Sequence, residues 1–298
     1  MSSFESLLSQ VLAFGEPRGS RAGSTLSLFA PDPIRFDVSG QAAALISSKK
    51  VPWKMALREF MWMLSGSTNV DDLRKSSPAM GTIWDNWADP ATHDIGPTYG
   101  AQYRHAGAYE ATKYAQGYYN GDGVDQLAQV IDRLEKTPDT RRALISLWSA
   151  PELDDMKLEP CMVLFQFSRR GPNLEYLDLQ VYQRSADMML GVPFDLFQAS
   201  VLMHLVAREL GRRGQAVSGR YITWTAGDVH LYSNQVEPAH TQLDQWRALT
   251  PAQWNGLPKL TIDPFPSLSI LDGSLEPGHI NVVGYNPAPP VDGGKIAV

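Results

Sequence analysis

YLDLQVYQRSADMMLGVPFDLF, residues 176–197, starts as a strand and leads into a helix. Leu177, Leu179 and Val181 alternate with more polar neighbours, the period-2 pattern of a strand with one buried face. After the polar cluster YQRSAD, helical periodicity covers about 196–210 and stops at Gly211. At the junction Asp195 stands among Leu190, Val192, Phe194, Leu196 and Phe197. A charge there costs on the order of several kcal/mol unless a partner takes it up.

Upstream lie two more apolar strands, RRALISLW (141–148) and CMVLFQF (161–167). Pro52 opens a strong helix, VPWKMALREFMWMLSG, ended by Gly66, and VDQLAQVIDRLEK (124–136) is an amphipathic helix. Near the N-terminus Phe4, Leu7, Leu8, Val11 and Leu12 recur at helical spacing, with Ser2 and Glu5 fitting a capping box. PRGSRAGST (17–25) is expected to be a loop, followed by one extended segment, LSLFAPDPIRFDV. Residues 66–127 carry turn signals such as Asn120-Gly121-Asp122-Gly123 and predict irregular structure with short helices. Past 255 the chain is proline-rich, with strand candidates LTIDP and INVVGY. There is no internal repeat and no composition break, so residues 1–298 are expected to form a single α/β or α+β domain.

The 298 residues are 43% hydrophobic and 19% charged, with a net charge of −6. That balance argues against a generic binder of nucleic acid or membrane surfaces, though a few local arginines could still hold a small anion. One cysteine, Cys161, excludes an intramolecular disulfide and suits a reducing cytoplasm. The acidic, arginine-poor start does not fit a signal peptide, and no apolar run approaches the ~18–20 residues of a membrane span. Scattered histidines and the absence of HExxH or CxxC argue against a metal site.

Cys161 follows Pro160 at the beginning of its strand. It is either an inert core filler or a nucleophile, and a reactive thiolate needs nearby cations, such as Arg184 on the following strand. Glu59 has Met55, Ala56, Trp62 and Met63 at three- and four-residue spacing. On that stripe its pKa should rise and it could shuttle protons, unless Arg58 or Lys54 ties it up at the helix rim.

Together EPCMVLFQF, YQRSADMMLGVPFDLF, GTIWDNWAD, GPTYG, DTRRALISLW, AGDVHLYSNQ and LPKL occur in an order that resembles the thymidylate synthase family, over nearly the whole chain. The resemblance implies one α/β domain with a large mixed sheet, paired through that sheet into a homodimer. It implies that Cys161 adds to C6 of a pyrimidine nucleoside monophosphate, making C5 nucleophilic enough to attack the one-carbon unit of 5,10-methylenetetrahydrofolate. Arg184 and Ser185 would hold the phosphate, joined by Arg141 and Arg142 from the partner subunit and by Arg21 or Arg18. His230 and Tyr232 would bind the sugar, Gln183 and Asp187 would lie against the nucleotide, and Tyr99 and Glu59 would serve the chemistry. Lys49, Ile83, Trp84, Trp87, Leu158, Asp187, Leu190, Gly191, Phe194 and the tail residue Ile296 would line the folate site, with ordinary core packing the alternative for the tryptophans. The tail after Gly293-Gly294 would close over the ligands.

Two departures bear on substrate. Asp195 stands where thymidylate synthases carry an asparagine facing the base, the change that also marks the deoxycytidylate hydroxymethylases. A carboxyl group that shares a proton with N3 and accepts from the 4-amino group suits cytosine, so dCMP is the expected substrate and the 5-hydroxymethyl nucleotide the expected product. The bland alternative is that Asp195 caps a helix beginning at Leu196. Met162 replaces a histidine common beside the nucleophile, which alters hydration near the base. The competing functions are dUMP methylation, CMP hydroxymethylation, dCMP methylation and a non-catalytic nucleotide- or RNA-binding protein.

Overall fold

A computed structural model describes residues 3–20, 23–108, 123–255 and 257–294. Its helices are α1 (Phe4–Phe14), α2 (Trp53–Leu64), α3 (Val70–Ser76), α4 (Pro78–Trp84), α5 (Tyr99–Arg104), α6 (Gln126–Lys136), α7 (Gly191–Arg212), α8 (Val236–Arg247) and α9 (Pro251–Asn255). The strands are β1 (Glu16–Ser20), β2 (Gly23–Phe29), β3 (Ile34–Asp37), β4 (Leu144–Ser146), β5 (Met162–Arg170), β6 (Tyr176–Asp187), β7 (Ser218–Tyr232), β8 (Lys259–Ile262) and β9 (Ile280–Val283).

Seven strands form one mixed sheet in the order β1-β2-β7-β6-β5-β4, with β3 pairing the near end of β7. β6 and β7 run parallel, joined by the crossover through α7, whereas the other pairs are antiparallel. A parallel pair needs such a crossover, and the apolar α7 supplies it by burying Leu196, Phe197, Val201, Leu202, Leu205 and Val206. β8 and β9 form a separate hairpin-like pair. The expected α/β architecture with a large mixed sheet is therefore present. No described helix is long and apolar enough to cross a membrane.

Several boundaries differ from the sequence reading. The supposed loop 17–25 is an antiparallel ribbon in which Arg18 faces Thr25. The extended segment 26–38 is two strands, both on β7: Ser27 opposes His230 and Phe36 opposes Ile222. Its break falls at Ala30, whose φ is 51. At the first helix Ser3 accepts the Ser6 N–H, while Glu5 turns inward and accepts from the Ser48 hydroxyl. α7 starts at Gly191 because Asp187 accepts the N–H groups of Met189 (2.8 Å) and Leu190 (3.1 Å), turning the strand end straight into a helix. Asp195 accordingly lies inside the helix and does not cap it. The turn 120–123 lies outside the described residues except for Gly123.

GPTYG seats the chain between α2 and the segment that leads into β5. Gly96 has φ +76, and a Cβ there would lie 2.2 Å from the Asp155 carbonyl oxygen; at Gly100 it would lie 2.2 Å from that of Ser67. Both obstacles are backbone, so neither can swing away. Gly96→Ala should therefore lose at least about 2 kcal/mol of stability in urea unfolding; a loss under about 0.5 kcal/mol would show that the segment relaxes freely.

Candidate active site

Strand ends and helix starts converge on one cavity of about 830 Å³. α2 contributes Glu59, the start of α5 Tyr99, the approach to β5 Cys161, and the end of β6 Gln183, Arg184, Ser185 and Asp187. The first turns of α7 add Asp195 and Gln198, the end of β7 adds His230 and Tyr232, and residues 290–294 close one side.

Cys161 is held by its backbone. Its N–H donates to the Tyr99 hydroxyl at 2.8 Å, and its carbonyl accepts the Arg184 N–H at 2.8 Å. The Arg184 guanidinium donates to the carbonyls of Pro160 (2.9 Å) and Glu159 (2.8 Å), fixing the segment leading into the cysteine. Burial pushes the Cys161 thiol up, and Arg184 draws it back down. The expectation that cations lower this pKa thus holds for the Arg184 contribution but not for the net direction, because desolvation outweighs one guanidinium. A negative charge on Asp195 also pushes the thiol up. Keeping Asp195 protonated therefore favours the thiolate.

Glu59 is buried and is not tied to Arg58 or Lys54. Trp84 Nε1 donates to its Oε1 at 2.7 Å and Gln198 Nε2 to its Oε2 at 2.8 Å. Burial pushes its pKa up to about 7, and these two donors only moderate the rise. Asp195 is raised further, to about 8, first by burial and then by the Glu59 charge, while Gln183 Nε2 donates to its Oδ2 at 2.7 Å and opposes the rise. Two carboxyl groups thus stand near neutrality, where proton exchange is easiest.

Much of the remaining lining is apolar. Trp84 packs edge-on against Trp87 with ring centroids 5.7 Å apart, beside Ile83, Leu158, Leu190, Gly191 and Phe194. The buried Lys49 ammonium donates to the Met189 carbonyl, and burial lowers its pKa to about 8 against the opposing pull of Asp187. Met162 is buried on the cavity wall. His230 Nδ1 is 2.9 Å from Asp228 Oδ1, and its ring meets Tyr232 edge-to-face at 5.2 Å.

Three predicted arginines do not join this cavity in the single chain. Arg141 and Arg142 are exposed and absent from its lining. Arg18 is exposed, 3.8 Å from Asp228. Arg21 and the tail residue Ile296 lie outside the described residues. Four contributors escaped the sequence reading: Gln198, Trp224, Asp228 and Gln235, the last donating to Asp187 and to the Gly293 carbonyl. Spacing held part of the signal, since Gln198 is three residues beyond Asp195 on one helix face and Asp228 two before His230 on one strand face. Among the described residues no group of three or more His, Cys, Asp or Glu side chains is placed to hold a metal ion.

A family model described as thymidylate synthase matches residues 2–298.

The raised pKa of Asp195 carries a stability consequence. The folded chain keeps a proton that the unfolded chain releases, so stability falls as pH rises from about 4 to about 8. Asp195→Asn removes that loss, and its gain in Tm over wild type should be at least about 3 °C larger at pH 9 than at pH 5. Equal shifts at pH 5, 7 and 9 in thermal melts would refute the protonated assignment.

Proposed function

The chain belongs to the thymidylate synthase family, which implies folate-dependent one-carbon transfer to a pyrimidine nucleoside monophosphate, and we propose that it converts dCMP to 5-hydroxymethyl-dCMP. The observation that carries this reading is Asp195, a carboxyl group on the cavity wall whose pKa of about 8 keeps it protonated at neutral pH. Its O–H can donate to cytosine N3 while its other oxygen accepts from the 4-amino group.

Cys161 Sγ adds to C6, and the electron pair displaced from the 5,6-double bond makes C5 the nucleophile. The co-substrate 5,10-methylenetetrahydrofolate supplies the carbon. The wall fits its flat ring system: Trp84, Trp87, Ile83, Leu158 and Phe194 offer apolar area. The buried Trp87 Nε1 also has no partner among the described residues, which leaves a donor for a polar ring atom. Glu59, with its pKa about 7, can accept the C5 proton and return protons through water. Water then adds to the methylene carbon and Cys161 departs, so dCMP, methylenetetrahydrofolate and water give 5-hydroxymethyl-dCMP and tetrahydrofolate. Arg184 and Ser185 on the cavity wall would hold the phosphate, and His230 and Tyr232 the sugar. Lys49 and Asp187, also on the wall, would meet the folate, and the tail that includes Ile296 would cover it.

The exposed Arg141 and Arg142 would complete the phosphate site of a second copy in a homodimer. Arg21, or Arg18 on β1, would add a further cation.

Mass spectrometry after incubation with methylenetetrahydrofolate and dCMP, CMP or dUMP tests the reaction. A gain of CH2O on dCMP, without the absorbance change of dihydrofolate formation, is expected; a gain of CH2 on dUMP with dihydrofolate would overturn it. Cys161→Ala should lower turnover by at least about 10⁴-fold and still bind nucleotide. Mixing inactive Cys161→Ala and Arg141→Ala chains should restore roughly a quarter of wild-type activity if sites are shared between subunits. No recovery after chain exchange would mean each chain works alone.

A further inference from the structure

The cavity wall behind Asp195 holds a chain of hydrogen bonds whose direction is fixed. Trp224 Nε1 donates to Gln183 Oε1 at 2.8 Å, and Gln183 Nε2 donates to Asp195 Oδ2 at 2.7 Å and to the Ser185 carbonyl at 3.0 Å. Trp224 and Gln183 are each 1% exposed, so water cannot substitute for these partners. An indole N–H is a donor and nothing else. It therefore compels the Gln183 amide to present oxygen to Trp224 and both N–H groups to Ser185 and Asp195. Among the described residues no hydrogen bond reaches Asp195 Oδ1.

We propose that Trp224 and Gln183 are positioning residues for base selectivity, because they decide which oxygen of Asp195 carries the proton. The inference rests on the reading that Asp195 faces the pyrimidine edge. A lone carboxylic acid is symmetric: turned one way it matches cytosine, with O–H to N3 and the carbonyl oxygen to the 4-amino group. With the proton on the other oxygen it matches uracil equally well, O–H to O4 and the carbonyl oxygen to N3–H. An aspartic acid alone therefore does not tell the two bases apart. The N–H arriving from Gln183 makes Oδ2 the acceptor and leaves the proton to Oδ1. Once that symmetry is broken, one base fits and the other meets donor against donor and acceptor against acceptor, which a closed site rejects strongly. In the cytosine reading, Oδ2 takes the 4-amino hydrogen and Oδ1 donates to N3.

The test uses the full-length protein and calorimetric Kd values for dCMP and dUMP. Trp224→Phe keeps the ring and removes the donor, freeing the Gln183 amide to turn; the ratio of the two Kd values should move toward unity by about tenfold. Gln183→Met, which removes both ends of the relay at similar volume, should do the same and decides the matter if Trp224→Phe does not fold by circular dichroism. In an Asp195→Ala background Trp224→Phe should leave the ratio unchanged, because the relay acts through that carboxyl. An unchanged ratio in the folded single variants, or the same change with and without Asp195, would overturn the proposal. A wild-type preference for dUMP would instead remove the cytosine reading, and the relay would still stand or fall on whether Trp224→Phe moves the ratio.

Discussion

Glu59 and Asp195 are two carboxyl groups in one largely apolar cavity, and the surrounding architecture answers to the cost of charge there. Each receives donors from side chains that are themselves buried: Trp84 and Gln198 for Glu59, Gln183 for Asp195. Those donors are too few to overcome desolvation, so both groups stay near neutrality with pKa values about 7 and about 8. A site meant to ionise them would surround them with guanidinium groups or with more backbone N–H donors. This one leaves them able to hold a proton at physiological pH and to pass it on.

The same constraint links the carboxyl groups to the sulfur. Asp195 charge raises the Cys161 thiol, as burial does, and Arg184 opposes both. Arg184 also fixes the segment leading into Cys161 by gripping the Glu159 and Pro160 carbonyls, so one guanidinium serves electrostatics and geometry together. On the far side of β6, Asp187 turns the strand into α7 by accepting two backbone N–H groups, and this sets where Asp195 and Gln198 point. Polar residues at the strand end thus build the site's frame as well as furnish its chemistry.

Local pattern made much of this legible. Alternation at Leu177, Leu179 and Val181 marked β6, the Pro52 helix spans 53–64 as its periodicity implied, and the apolar neighbours of Glu59 announced a raised pKa. The order of several long motifs announced the family, which the match over residues 2–298 shows. Boundaries governed by distant partners were harder. The segment 17–38 yields three strands because β1 pairs β2 and both β2 and β3 pair β7, whose residues lie about 200 positions later. The start of α7 moved from 196 to 191 because a side-chain cap at Asp187 carries no periodic signal.

The sequence by itself determined which residue types were available: one thiol, a carboxyl group on an apolar helix stripe, and an aspartate in LGVPFDLF with no partner in view. Periodicity is a local property, and it sufficed to sort those residues onto strands and helices. Only the tertiary structure decided what each one meets, since a hydrogen bond between Trp224 and Gln183, or Gln198 and Glu59, joins atoms that lie 41 or 139 positions apart along the chain. Desolvation and the direction of a hydrogen bond depend on everything packed around an atom, and no stretch of neighbouring letters contains that information.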